Sequence, residues 1–398
     1  MSPARVTILL SFGLLLCLAP QMTFPAALPQ ISAALELTAS EAGWVGSIFF
    51  GGYAAAIPIF SGATDRMDGR WIYIGNAAVG AAACIGFAFL ANDFYSAMLF
   101  RFLGGVAFAG MNMPGLKLLA DHVTGQTQRR STSIYASTYA AGSGTSLLLA
   151  GALIETLGWE GVFVVAGLGP AIAGLLVLAF LPRPPERQRS TSAEGPRALL
   201  RNRELLLHVA AFAGNTWEVF AIRVWFVGYL AWLAVHSGDT ISASSLAMIG
   251  GLAVIAGVPV SLGVSELASR YSRRRVIVLV NLFSVLVCLS LSAFADGPLL
   301  ACLLLAALLQ ITSFADVGVL SNGAVAAAHP SQRGAALGLY GFVGFVSGTL
   351  GGVVVGMVVE GVATGYGMAA AWSAGFLVMA LGSTVAALAI SRTRPASS

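Results

Sequence analysis

Charge is what this 398-residue sequence has least of: Asp, Glu, Lys and Arg make up 10% of it, against 57% hydrophobic residues. With a mean hydropathy of +0.85, the chain has far more apolar surface than a soluble domain of this length can bury, so lipid must cover the rest. Cysteine is scarce too. Cys17, Cys84, Cys288 and Cys302 lie inside apolar runs with no CxxC or Cys/His spacing, which excludes a disulfide framework and a metal site and leaves them as small hydrophobes. No GxxxxGK[ST] loop is present, which argues against an ATP-driven pump. A nucleophile and base in suggestive register are also missing, which argues against a membrane-embedded enzyme. No cofactor is implied, and the arginines are dispersed over short turns, which argues against nucleic acid.

What the sequence does have is apolar runs, at 6–28, 41–63, 71–92, 94–120, 131–157, 162–181, 205–235, 244–268, 276–295, 298–326, 335–360 and 368–390. Each reaches or exceeds the ~20 residues a helix needs to cross a bilayer. The expected class is therefore an all-α integral membrane protein with twelve transmembrane helices. The first run is too long for the apolar region of a signal peptide and reads as a retained span. The one long polar stretch, PRPPERQRSTSAEGPRALLRNRE at 182–204, reads as a linker between an N-terminal six-helix bundle, 1–181, and a C-terminal one, 205–398.

Charge placement supplies the topology. Of the 21 basic residues, all but Arg101, Lys117 and Arg223 fall at the termini, in the linker, or in turns that share one side if every run crosses. The opposite loops carry Glu36, Asp93, Glu160, Asp239, Asp296 and Glu360. The positive-inside rule then makes both termini and the linker cytoplasmic, in a multi-pass cell-membrane protein, the bacterial inner membrane being the one expected.

The chain also repeats itself. The polar turn SGATDRMDGR at Ser61–Arg70 has a counterpart, SELASRYSRRR, at Ser265–Arg275, and Asp65 to Ser269 and Arg66 to Arg270 are each a shift of 204. The same shift carries Ser143-Gly144-Thr145 onto Ser347-Gly348-Thr349. One six-span unit is written twice. Many of the 47 glycines lie inside spans, among them Gly142, Gly144, Gly151, Gly348, Gly352 and Gly356. There they serve either tight static packing or a sliding interface.

These motifs resemble the major facilitator superfamily of secondary transporters, over nearly the full length. The family's turn after the second span, Asp-Arg followed by Gly-Arg, looks like Asp65, Arg66, Gly69 and Arg70 here. The match departs in the extra Asp68 and in Ser61, where glycine is usual. The second copy keeps Arg270, Arg273 and Arg274, with Ser269 in place of the acid. Arg101 followed by Gly105 is similar to the family's arginine motif in the fourth span. The fifth span lacks the Gly-Pro pair of drug antiporters, which weakens an efflux reading. The resemblance implies two six-helix bundles and a central cavity lined by the fourth and tenth helices, which carry Asn112 and, 204 residues on, Asp316.

Ionisable groups inside spans are costly enough to be functional candidates: Arg101, Lys117, His208, Glu218, Arg223 and Asp316. Glu218 and Arg223 lie about 3 Å and about 4.5 Å from the middle of the seventh span at 1.5 Å per residue. They point about 140° apart, so each must find its partner on another helix, in water or in substrate. Asn215, Glu218, Trp225 and Tyr229 share a face. The expected substrate-binding set is Arg101, Asn112, Asn215, Glu218, Arg223, Trp225, Tyr229 and Asp316. Glu218 and Asp316 are candidates for proton coupling, or else for structural ion pairs with Arg223 or Arg101. Asp65, Arg66, Gly69, Arg70, Lys117 and Arg270 are the expected gating set, with Asp65 latching the cytoplasmic side through nearby arginines or a helix N-terminus.

Three in-span cations against two acids favour a small organic or inorganic anion, moved with protons by alternating access. The rival within transport is proton-antiport efflux of amphipathic drugs or metabolites. From another class, a non-transporting receptor would need an appended signalling segment, and eight residues follow Ile390. The expected partners are the lipid bilayer, the small-molecule substrate and a coupling ion, and the expected state is a monomer.

Overall fold

The computed structural model describes residues 1–64, 66–183, 199–329 and 332–393. Within them the chain is helical, with no strand. The elements are α1 (Pro3–Cys17), α2 (Thr23–Ala34), α3 (Ala39–Ala63), α4 (Gly69–Leu90), α5 (Phe94–His122) and α6 (Gly125–Phe180) in the first half. The second half follows with α7 (Arg203–His236), α8 (Ala243–Arg270), α9 (Arg273–Ala293), α10 (Leu299–Ser313), α11 (Val317–Ala327) and α12 (Arg333–Ser391). A short 3-10 turn, Leu199–Arg201, precedes α7.

Helices and expected runs do not correspond one to one. The 56-residue α6 and the 59-residue α12 each cover two runs, divided at Gly158 (φ 67°) and Gly367 (φ 83°). Both glycines adopt a positive-φ backbone that a side chain would strain, and at each the helix kinks. Conversely, α1 and α2 share the first run and α10 and α11 the tenth. Among the described residues, nine helical stretches are long and apolar enough to cross a membrane, the two longest sufficing for two crossings each.

The break after α1 falls at Pro20, whose nitrogen cannot donate. In lipid the freed backbone groups must find partners. Ser146 of α6 supplies them: its Oγ donates to the Ala19 carbonyl at 2.5 Å and accepts from the Met22 N–H at 3.0 Å. Some helix starts are capped by side chains, among them those of α4, α5 and α7. Asp93 accepts from Ser96 N at 2.7 Å while Ser96 Oγ accepts from Asp93 N at 3.1 Å, a reciprocal capping box for α5. Asn202 Oδ1 accepts from Leu205 N at 3.1 Å to start α7.

The chain divides into two compact units. One comprises Met1–Glu36, Ile48–Ser190 and Ala243–Ile255; the other comprises Leu37–Ser47, Thr191–Ser242 and Ala256–Ser398. In the first unit, α4 packs on α5 and α6, and α1 on α5 and α6. Phe87 stacks on Phe163 at 4.1 Å between ring centroids and meets Phe24 edge-on at 6.3 Å. α3 and α5 touch backbone to backbone: a Cβ on Gly105 would strike the Phe49 carbonyl, and one on Gly52 the Phe102 carbonyl.

In the second unit α7 is the central rod, packed on α10, α11 and α12. Gly214 and Gly382 each leave room for the other's carbonyl, and Phe212 stacks on Tyr340 at 3.9 Å.

The shift of 204 reappears in the helix starts: α3 and α8 begin at Ala39 and Ala243, α4 and α9 at Gly69 and Arg273. The start of α3 belongs to the second unit and the start of α8 to the first. Each is pinned there. Ser40 N donates to Glu360 Oε2 at 2.7 Å, and Ser244 Oγ donates to the Gly151 carbonyl at 2.7 Å.

Candidate functional site

A buried polar cluster lies in the second unit, around the middle of α7. Glu218 is 1% exposed and Asp316, where α10 breaks into α11, is 0% exposed. Buried carboxylates demand compensation, and here it comes from neutral donors. Glu218 accepts from the hydroxyls of Ser284 on α9 and Ser383 on α12. Asp316 accepts from Asn215 Nδ2 at 2.9 Å and from Asn281 Nδ2 at 2.6 Å. Each amide nitrogen also donates to a backbone carbonyl, Asn215 to Ser313 at 2.8 Å and Asn281 to Ile277 at 2.9 Å. α9 thus presents Asn281 to one acid and Ser284, three residues on and so on the same face, to the other.

Arg223, 3% exposed, lies with its Cζ 5.1 Å from the ring centroid of Phe314, the residue that ends α10. Glu218 and Arg223 therefore point to different helices, as their separation along α7 demands. Trp225 and Tyr229 turn toward α12. The indole N–H of Trp225 donates to the Gly352 carbonyl at 2.9 Å, both rings meet Trp372, and the Tyr229 hydroxyl donates to the Ala295 carbonyl at 3.0 Å. Asn215, Glu218 and Asp316 are brought together with Asn281, Ser284 and Ser383, and the two aromatic residues form a packed cluster of their own.

The remaining expected residues belong to the first unit, apart from Arg270. Arg101 donates to the Pro20 carbonyl at 3.2 Å and the Gln21 carbonyl at 3.4 Å, and lies over the rings of Phe49 and Phe24 at 4.8 and 5.6 Å. It thereby holds the break between α1 and α2. Asn112 donates to the Tyr53 hydroxyl at 2.8 Å, and its own carbonyl accepts from Tyr135 at 3.1 Å. Lys117 Nζ donates to the Thr64 carbonyl, tying α5 to the end of α3. Asp65, the expected latch, lies outside the described residues, as does 184–198 of the expected linker. Arg66 is exposed, and Gly69 is buried as the first residue of α4. Asp68, the residue in excess of the family pattern, is the N-cap of α4 and accepts from Arg70 N at 2.9 Å. Arg270 pairs with Glu266 at 2.9 Å across one turn of α8, both well exposed.

Sequence reasoning missed Asn281, Ser284, Ser383 and Gln310. None carries charge, the property that marks Arg101, Glu218, Arg223 and Asp316 in the sequence. The available signal was polar residues at helical spacing in an apolar run, as Asn281 and Ser284 are in α9. Gln310 is 2% exposed, and neither atom of its amide has a hydrogen-bond partner among the described residues.

A helical membrane protein of paired repeats, with ionisable groups buried at mid-helix, has the architecture of a solute carrier. The Major Facilitator Superfamily profile matches residues 10–352, and the chain belongs to that family. Over 322 residues it is 23% identical to Protein spinster homolog 1 of Xenopus laevis, covering 74% of this chain and 61% of that one. Over 146 residues it is 25% identical to the niacin transporter NiaP of Acinetobacter baylyi, covering 37% of this chain and 33% of the other. Over 235 residues it is 23% identical to the sphingosine-1-phosphate transporter SPNS2 of Danio rerio, covering 56% of this chain and 46% of the other. The matches thus span between a third and three fifths of these relatives' lengths. Among solved structures, a bacterial homolog of the human lysosomal transporter Spinster, inward-facing and occupied, aligns with a TM-score of 0.84 at 16% identity, covering 99% of this chain and 98% of that one. A D-xylose–proton symporter aligns with a TM-score of 0.81 at 12% identity, covering 99% of this chain and 98% of that one. At such identities the structures speak to fold alone. The relatives are transporters and not enzymes, and the chain is a multi-pass membrane protein.

Proposed function

We propose that this chain is a secondary active transporter of a small organic anion, coupled to protons. It works by alternating access of two six-helix halves, 1–181 and 205–398, joined by the linker 182–204. The observation that carries the reading is the placement of Arg223, Glu218 and Asp316 at the middle of α7 and beside it, all buried. A guanidinium there offers a planar fork to a carboxylate or phosphate, and a carboxyl among hydroxyls offers a place for a proton. Of the three in-span cations, Arg101 and Lys117 hold backbone carbonyls, so the anion reading rests on Arg223. Two relatives are named for acidic cargo, niacin and sphingosine-1-phosphate. The turn that includes Arg66, Gly69 and Arg70, tethered through Lys117, acts as the gate on the side where the termini lie, taken as cytoplasmic.

Flux into proteoliposomes tests this, with nicotinate and sphingosine-1-phosphate as anionic probes and xylose as a neutral one. Anion uptake is expected to follow an imposed pH gradient and to collapse with an uncoupler. Arg223→Lys is expected to lower uptake about tenfold or more, the equivalent of losing one charge-assisted hydrogen bond of ~1.5–3 kcal/mol. Uptake indifferent to pH and uncoupler would remove the coupling. Uptake of the neutral probe alone would remove the anion.

A further inference from the structure

The two buried carboxylates sit in shells of opposite character. Asp316 is held by amides whose nitrogens are fully spent: Asn215 Nδ2 serves Asp316 Oδ1 and the Ser313 carbonyl, and Asn281 Nδ2 serves Asp316 Oδ2 and the Ile277 carbonyl. Turning either amide over would set its oxygen against a backbone carbonyl, so neither nitrogen can be exchanged for an acceptor. A protonated Asp316 would then point its new O–H at donors. The partners of Glu218 are hydroxyls, from Ser284 and Ser383. A hydroxyl donates to a carboxylate and, after rotating, accepts from a carboxylic acid. Its own hydrogen can then pass to a carbonyl one helical turn back, the bond Ser290 of the same helix already makes to Leu286 at 2.9 Å.

We propose that Glu218 is the carboxyl that gains and loses the cycling proton, and that Asp316 is a standing anion held by Asn215 and Asn281. The proton enters as the O–H of Glu218, one serine hydroxyl turns from donor to acceptor, and the reverse turn releases the proton to water. Other titratable groups facing the pair are Cys288 from α9, toward Glu218, and Tyr340 from α12, toward Asp316, while Arg223 follows Glu218 on α7. This inference rests on the proton-coupled reading above.

The proton itself is the probe. pH-difference infrared spectra of the full chain in lipid vesicles are expected to show the carbonyl band of one titrating carboxylic acid. Glu218→Gln removes that band and Asp316→Asn keeps it. In a chain that retains Glu218, Ser284→Ala with Ser383→Ala shifts the band's frequency, because the hydroxyls bond to that carboxyl directly. A band that survives Glu218→Gln and vanishes in Asp316→Asn overturns the assignment alone, as does a band indifferent to loss of both serines. A wild-type chain with no titrating band overturns the assignment and the proton coupling together.

Discussion

Arg101 and Arg223 look equivalent in the sequence, each a guanidinium inside an apolar run, yet their surroundings give them different work. Arg101 donates to the Pro20 and Gln21 carbonyls and lies over Phe24 and Phe49, so it repairs the gap that a proline leaves in a membrane helix. Arg101→Gln is expected to cost about 2 kcal/mol or more of stability, the scale of hydrogen bonds from a buried charge. The check is the Tm of purified protein, which Arg101→Lys should only partly restore because an ammonium cannot fork to both carbonyls. Charge inside an apolar run marked both residues as candidates. It could not say which would meet the carbonyls of a broken helix and which would lie over the Phe314 ring.

At the scale of elements, helix ends and crossings carry the testable detail. The Asp93 carboxyl is held below the usual carboxylate range, first by the Ser96 backbone N–H and then by the Ser96 hydroxyl. A carboxyl lowered on folding adds stability that is fully present above its unfolded pKa of about 4 and fades as pH falls through the folded value. Asp93→Asn is therefore expected to lower Tm at neutral pH, and the gap to wild type should close in acid. A gap that persists in acid would deny the cap its charge. The crossing of α3 and α5 admits no side chain at Gly105, where a Cβ would meet the Phe49 carbonyl. Gly105→Ala is expected to cost about 1–3 kcal/mol by overpacking, read as loss of monodisperse protein on extraction. Asp93 and Gly105 were both legible as residues, one as a loop acid and one beside Arg101 in the fourth span. That Asp68 caps α4, and so accounts for the extra position in the family's turn, required the helix start itself.

At the scale of the whole molecule, the repeat governs. Helix starts 204 residues apart recur, and the beginnings of α3 and α8 change units reciprocally. The Ser40–Glu360 contact pins one of them. Glu360→Ala is expected to loosen that end of α3 and raise labelling of Ser47→Cys by a membrane-impermeant maleimide, since Ser47 is 0% exposed. Labelling unchanged from the parent Ser47→Cys would show that the contact holds nothing.

Composition, the lengths of the apolar runs and the recurrence at 204 determined by themselves a duplicated, all-helical membrane protein, because burying a polar backbone in lipid leaves a chain few alternatives. They also placed Glu218 and Arg223 near the middle of one span and pointed them apart, since rise and rotation per residue are fixed properties of a helix. Only the tertiary structure decided what those groups meet. Whether a buried carboxyl is ringed by amides that cannot turn or by hydroxyls that can depends on residues remote in sequence, Asn281, Ser284 and Ser383, and on how α9 and α12 are rotated against α7. No periodicity within a single run records that rotation.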